Sequence, residues 1–390
     1  MLDGVVSPEL TVEISGRISR IGAAEWDACL LDTPGGDDHP FLRHAYLSVL
    51  EECGAIDGQV WKASYLTARD LAGTLVAAIP VFLKSNPFGD FVEEGAWVDA
   101  LHRTGGHYYP KLQICAPFAP VGGPRILLRR GAPPDIAARL IDLMTRTARK
   151  DGLSGIHATF VNEADLSRFT QAGWHVRTDT QFHWQNRDYR NFDDFLATLT
   201  CDKRGMIRRE RRQVGQNGVD IHVLTGADLR PEHMDVFAGF YRSTFLKKQT
   251  LPHLPREFFL LLGERMADDL VLVMARQGGR WVGGTLNFRG RRTLFCRSWG
   301  GVDDLPFLYF EVTNYRAIDC AIDRGLCAVD GGMGGHYKLK RGYQPVPVWS
   351  AHHMTDPAMD DAVARFLINE RAVVARDRLV LAGQGPYRAG

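Results

Sequence analysis

Ala321 to Gly342 reads A-I-D-R-G-L-C-A-V-D-G-G-M-G-G-H-Y-K-L-K-R-G. Its first residues close a helix, because Leu308, Val312, Tyr315, Ile318 and Ile322 share one face and Gly325 supplies the stop. Leu326 to Val329 then reads as a short buried strand. The strand opens into Gly331, Gly332, Gly334 and Gly335, where backbone can approach a ligand without a side chain in the way. Lys338, Lys340 and Arg341 follow, then Gly342 and Tyr343. A strand end, a permissive loop and fixed cations are the parts needed to hold phosphate or to stabilise a developing oxyanion. A glycine-rich turn with solvated lysines fits this stretch equally well, so the rest of the chain has to decide.

The same plan occurs earlier. Helix end A-R-K-D-G-L (Ala148 to Leu153) precedes the strand Gly155 to Val161, as A-I-D-R-G-L precedes Cys327 to Val329. Upstream, A-R-D-L-A-G-T-L-V-A-A (Ala68 to Ala78) turns a hairpin, and A-R-Q-G-G-R-W-V-G-G (Ala275 to Gly284) turns its counterpart. Hairpin, helix, glycine stop and strand, twice in one order, read as an internal duplication of one α/β unit. The expected division is 1–186 and 187–390, with a basic helix over 191–214 and a C-terminal helix over 357–382. That last helix is expected to pack on the second half, with a frayed end after Gly383.

At 390 residues the chain has room for two such cores. A formal net charge of +1 gives no global pull on a polyanion, so nucleic-acid contact requires a local patch. Seven cysteines, none in C-x-x-C spacing, argue against a disulfide framework or zinc knuckle and for a reducing compartment. The first ten residues have neither a basic segment nor an apolar core, and the apolar run Leu75 to Leu83 is too short to span a bilayer. The reading is a cytoplasmic protein without a membrane span.

Charge does concentrate between the two copies. Asn191 caps a helix, Phe192, Leu196 and Leu199 face inward, and C-D-K-R-G-M-I-R-R-E-R-R-Q follows from Cys201. If the helix continues, Arg204, Arg208, Arg211 and Arg212 form one stripe, with Lys203 beside it. Two acids against six bases point to a phosphate-bearing partner; a solvated helix face is the alternative. There is no G-x-S-x-G elbow, phosphate-binding G-x-x-x-x-G-K-[ST] loop or H-E-x-x-H. The histidines, including His102/His107 and His352-His353, lack helical ligand spacing and read as structural, so no metal site is expected. Arg297 to Val302 (R-S-W-G-G-V) nearly fits the pyrophosphate loop of acyl-CoA N-acyltransferases, but Val302 stands where a small residue belongs.

Several segments together resemble a known family. Y-Y-P-K-L-Q (from Tyr108), P-F-A-P-V-G-G-P-R (from Pro117), Q-F-H-W-Q-N (from Gln181), K-R-G-M-I-R-R-E-R-R (from Lys203) and G-H-Y-K-L-K-R-G-Y-Q-P-V-P (from Gly335) resemble the bacterial FemAB-like proteins of the GNAT superfamily, in order from about residue 17 to 375. That group is similar to the Fem-type aminoacyltransferases. The resemblance implies an α/β fold of two tandem GNAT-like domains, mixed sheets flanked by helices, and transfer of an amino acid from aminoacyl-tRNA to an amine on a cell-wall precursor. It implies Lys338 as the oxyanion donor. Arg204, Arg208 and their neighbours would bind tRNA phosphates. Tyr108, Tyr109, Lys111 and Arg125 would line an acceptor pocket in the first domain, with His183 and Trp184 at the junction and Arg341 and Tyr343 also on the substrate. The family pattern G-E-H-K is replaced by Gly335-His336-Tyr337-Lys338, which removes an acid and leaves His336 as its substitute in proton transfer.

The functional expectation is therefore direct attack of a small-molecule or peptide amine on an activated acyl group. No covalent enzyme intermediate forms, because no nucleophile–base pair is visible. No tightly bound cofactor is expected; aminoacyl-tRNA or acyl-CoA serves as co-substrate. The alternatives are a CoA-dependent N-acetyltransferase and a non-catalytic protein that binds RNA or a cell-wall precursor.

Overall fold

A computed structural model describes residues 10–302 and 305–388. The N-terminal stretch read for targeting lies, apart from Leu10, outside them. The chain forms two compact units, Met1–Asp179 with Val348–Ala375 and Thr180–Pro347 with Arg376–Gly390. The first boundary falls a few residues before the expected one, and the chain returns to the first unit near its end.

In the first unit, strands β1 (Leu10–Ser15), β2 (Trp61–Ala63), β3 (Tyr65–Asp70), β4 (Leu75–Ile79), β5 (Val81–Lys84), β6 (Lys111–Ile114), β7 (Leu127–Leu128) and β8 (Gly155–Val161) build two sheets. The expected hairpin is present but split. Pro80 has no N–H to give a ladder, and the strands change partners there and at Ser64, whose N–H bonds Val81 O at 2.8 Å. The half nearest the turn joins β1 and β7 (order β1-β3-β4-β7), while β2 and β5 continue into β6 and β8. β5 and β6 are antiparallel; β6 and β8 are parallel. The helix Ile136–Lys150 connects β6 to β8 and buries Leu140, Ile141, Met144 and Ala148 against the sheet.

The second unit repeats this order. Strand β9 (His175–Gln185) enters it, followed by β10 (Val219–Leu224), β11 (Leu270–Gln277), β12 (Arg280–Arg289), β13 (Thr293–Gly301) and β14 (Ala328–Met333). β12 and β13 are antiparallel, β13 and β14 parallel, and the connection between those two is again helical. The duplication read from the sequence is thus a duplication of topology. The helical connection contains a π turn at Glu311–Tyr315, within which Glu311, Asn314 and Tyr315 are buried. In each unit the fourth repeat strand is flanked by an antiparallel strand contributed from a distant part of the chain. β8 pairs with residues 349–354 of β15 (Gln344–Met354), and β14 with residues 181–185 of β9.

Three local expectations change. The basic segment is two helices, Phe192–Ala197 and Cys201–Gln216, because Leu199 is drawn into the core and bridges to Tyr387. The C-terminal helix Pro357–Ala382 starts in the first unit, where Met359, Val363 and Leu367 pack on Trp97 and Tyr108, and only its end, from Arg376, belongs to the second unit, with Leu381 against that core. The segment after Gly383 is tied down: Pro386 O accepts from Thr200 N at 2.8 Å, and Tyr387 Oη donates to Gly342 O at 2.6 Å. No helix among the described residues is long and apolar enough to cross a membrane.

The second core also holds a buried ion pair. Arg341 donates to both oxygens of Glu210 at 2.8 Å and to Tyr315 Oη at 2.9 Å, and its guanidinium lies 3.5 Å from the centre of the Phe310 ring. Removing one partner strands the other charge in the interior. Arg341→Ala should lower the unfolding free energy by about 3–5 kcal/mol, measured by urea denaturation.

Candidate functional site

The parallel pairing of β13 and β14 lasts three residues, ending at Phe295↔Asp330. Beyond it β14 bulges: Asp330 pairs with His183 of β9, and the next pair is Met333↔Gln181. Gly331 and Gly332 occupy the bulge. A side chain at Gly331 would meet Phe182 O at 2.8 Å and the Tyr343 ring at 2.9 Å, and at Gly332 (φ +70°) it would meet Arg297 Nη2 at 2.6 Å. The glycines read from the sequence as a ligand loop are thus also required by packing.

Lys338 sits on the tight helical turn His336–Arg341 that follows left-handed Gly335. Its Nζ donates to Gly331 O at 2.6 Å and Gly334 O at 2.9 Å. An ammonium has three donors, so one N–H remains for a ligand. Lys338 is only 8% exposed, and burial pulls its amine down to about 8. Asp330, on the same bulge, accepts from Gly332 N at 2.7 Å and lies 3.5 Å from His183 Nε2. His183 Nε2 is also 3.1 Å from Gln181 Oε1. With Nε2–H donating to those oxygens, the His183 lone pair is on Nδ1. One bulge therefore carries a cationic donor and an acid-oriented imidazole. The sequence reading named Lys338 and His183 without connecting them, and missed Asp330 as the residue that orients the imidazole.

The other expected residues fall into distinct environments. His336 is exposed, its ring 6.0 Å from that of Phe182. Trp184 and Tyr343 are core residues, Trp184 edge-on to Phe195 at 5.7 Å, and Arg341 is committed to Glu210. In the first unit Tyr108, Lys111 and Arg125 are interior. Arg125 donates to Thr159 O at 2.9 Å, Val121 O at 2.6 Å and Pro124 O at 2.9 Å, while Lys111 bonds Glu94. An acceptor pocket lined by these three has no open surface. Tyr109 is partly exposed.

The arginine stripe is divided. Arg211 reaches Asp319 at 2.6 Å and Glu311 at 3.3 Å and stacks on Phe192 at 4.3 Å, which makes it a packing residue. Arg208 and Arg212 are exposed, Arg208 pairing with Asp193 at 2.9 Å, and Lys203 and Arg204 are partly exposed. Arg297 to Gly301 lie within strand β13, in register with β12 at Gly300↔Gly284 and Gly301↔Gly283. Successive N–H groups of a strand point to opposite sides, so they do not converge on one phosphate as a loop at a helix start does. Gly300 is small because a side chain there would lie 2.2 Å from Phe240 O.

Comparison with known proteins agrees with this topology. The C-terminal domain of a putative lysylphosphatidylglycerol synthetase from Agrobacterium fabrum superposes with a TM-score of 0.52 at 11% identity, covering 89% of this chain and 95% of that one. FemX gives 0.51 at 11% identity, over 84% and 96%. A conserved protein of unknown function from Bacteroides thetaiotaomicron gives 0.52 at 14%, over 88% and 99%. At such identities the likeness is one of fold. No protein of curated function matches the sequence. The likeness shows a shared α/β fold, and the model of the FemAB-like family, described as peptidoglycan biosynthesis/recognition, matches residues 17–389. By that match, which covers nearly the whole sequence, the chain belongs to the FemAB-like family.

Proposed function

We propose that this protein is an acyltransferase that moves an activated acyl or aminoacyl group onto an amine at the bulge of its second unit. The observation that carries the reading is the free third N–H of Lys338, whose other two donate to carbonyls of the glycine stretch that begins at the bulge where Asp330 orients His183. In this reading the acceptor nitrogen attacks the acyl carbon and the carbonyl oxygen gathers the charge. Lys338 donates to that oxygen in the tetrahedral intermediate. His183 Nδ1 takes the proton released by the attacking amine. Collapse breaks the bond to the donor's oxygen or sulfur, which leaves with a proton returned from His183. No bond to the protein forms.

Family membership and the exposed or partly exposed cations Lys203, Arg204, Arg208 and Arg212 favour an aminoacyl-tRNA donor and a cell-wall-type amine acceptor. The extended conformation of Arg297 to Gly301 weighs against the acyl-CoA alternative. A direct test supplies charged tRNA from the host and, separately, acetyl-CoA, and follows transfer to a panel of amines. Transfer from CoA alone would overturn the choice of donor. No transfer from either, together with tight RNA binding, would overturn catalysis.

Lys338→Met should reduce kcat by about 100- to 1,000-fold, the cost of removing one oxyanion donor, with KM little changed. Because Lys338 must be protonated to donate, wild-type kcat/KM should fall as pH rises through about 8. A flat profile to pH 9.5 would show that its charge is not used, and a steady-state pH series reads this directly. For tRNA binding, Arg204→Ala/Arg208→Ala/Arg212→Ala should reduce the log–log salt slope by about 2, from ~0.7 per single-strand phosphate contact. Arg211→Ala should leave that slope unchanged and lower the melting temperature instead, because Arg211 faces Glu311 and Asp319.

A further inference from the structure

His157 and His352 stand directly opposite each other across β8 and β15. Both rings are fully buried and their Nδ1 atoms are 2.9 Å apart. A neutral imidazole has one N–H and one lone pair, so each ring can offer a ligand atom. Glu94, just before the helix Gly95–Arg103, points at them: its Oε1 is 4.0 Å from His157 Nδ1, and the three ligand atoms lie within 4.8 Å of one another. One proton shared between the imidazoles satisfies both Nδ1 atoms but not Glu94 Oε1, which is buried and has no hydrogen-bond partner.

We propose that Glu94, His157 and His352 bind one divalent transition ion of the zinc class inside the first unit. Two imidazoles and a carboxylate are a donor set that such ions take, and a tetrahedral shell places neighbouring ligand atoms about 3.3 Å apart at the usual bond lengths. Closing the shell therefore draws Glu94 Oε1 in from its 4.0 Å separation from His157 Nδ1. Outer contacts suited to Glu94 and His157 are already present. Lys111 holds the second oxygen of Glu94, and Tyr108 Oη is 3.4 Å from His157 Nε2, in position to fix the tautomer that leaves Nδ1 for the metal. Trp97 walls the site, stacked on His157 at 6.3 Å and edge-on to His352 at 4.9 Å. Opposing charge is also present: Lys111 and Lys84 already balance Asp90 and Glu94, so the ion enters with excess positive charge. Its affinity is accordingly lower than that of a cysteine-rich zinc site. The ion ties the returning strand β15 and the start of the helix at Gly95 to the central strand β8.

The full chain, dialysed against EDTA, is titrated with zinc in competition with a chromogenic chelator, and with cobalt while recording visible absorption. The expected result is one ion per chain, with the intense absorption of tetrahedral cobalt. Glu94→Gln, which keeps the oxygen that Lys111 bonds, should weaken binding by at least about 10-fold, and His352→Ala should abolish it. Circular dichroism in EDTA checks that each variant is folded. X-ray absorption of the zinc-loaded wild type, which requires no variant, should show two imidazoles and a carboxylate. Absence of stoichiometric binding, equal binding by wild type and Glu94→Gln, or a different ligand set would overturn the proposal and leave a proton-sharing histidine pair.

Discussion

Where β13 and β14 cease to pair, their backbone groups lose the ladder and need other partners, because a buried N–H or C=O without one is costly. The second unit supplies those partners with functional groups. Asp330 takes the Gly332 N–H, and Lys338 takes the Gly331 and Gly334 carbonyls. The same bonds that relieve the broken ladder position a cation and a carboxylate at one bulge. Glycine is required there because Phe182 O and the Tyr343 ring leave no room for a Cβ at Gly331, and Gly332 has a φ of +70°. The site is thus a consequence of how the sheet ends.

The first unit meets the same problem differently. Its parallel pair β6–β8 stops at Ile114↔Ala158, and the next carbonyl, Thr159 O, accepts from Arg125. That guanidinium also binds Val121 O and Pro124 O, so the chain's own segment fills the place that the second unit leaves to Lys338 and glycine. Two copies of one topology have diverged, one into packing and one into a turn whose Lys338 keeps a free donor. Buried lysines in the first unit, Lys84 and Lys111, likewise pair internally with Asp90 and Glu94.

The basic helix shows how far a periodic pattern carries. Helical spacing placed Arg204, Arg208, Arg211 and Arg212 near one another, and they do lie on one helix, Cys201–Gln216. Their roles depend on what faces them. Glu311 and Asp319 face Arg211, about a hundred positions away. The face of a helix is local information, whereas the charge opposite it is not.

Local rules carried the reading of the duplication, because hairpin turns, glycine stops and apolar spacing act within a few residues and occur twice. The glycine loop and Lys338 were legible for the same reason, all lying within eight residues. The split of the first hairpin was legible in principle at Pro80, yet the partner exchange depends on β1 and β7, which are remote. The sequence by itself determined the repeated α/β plan, the glycine-rich strand end and the cations beside it. Only the tertiary structure decided that His183 meets Asp330, that Arg125 and Arg341 are interior, and that His157 meets His352 across 195 positions. Strand pairing sets those meetings, and pairing between distant segments is chosen by the burial of whole faces, which no local spacing encodes.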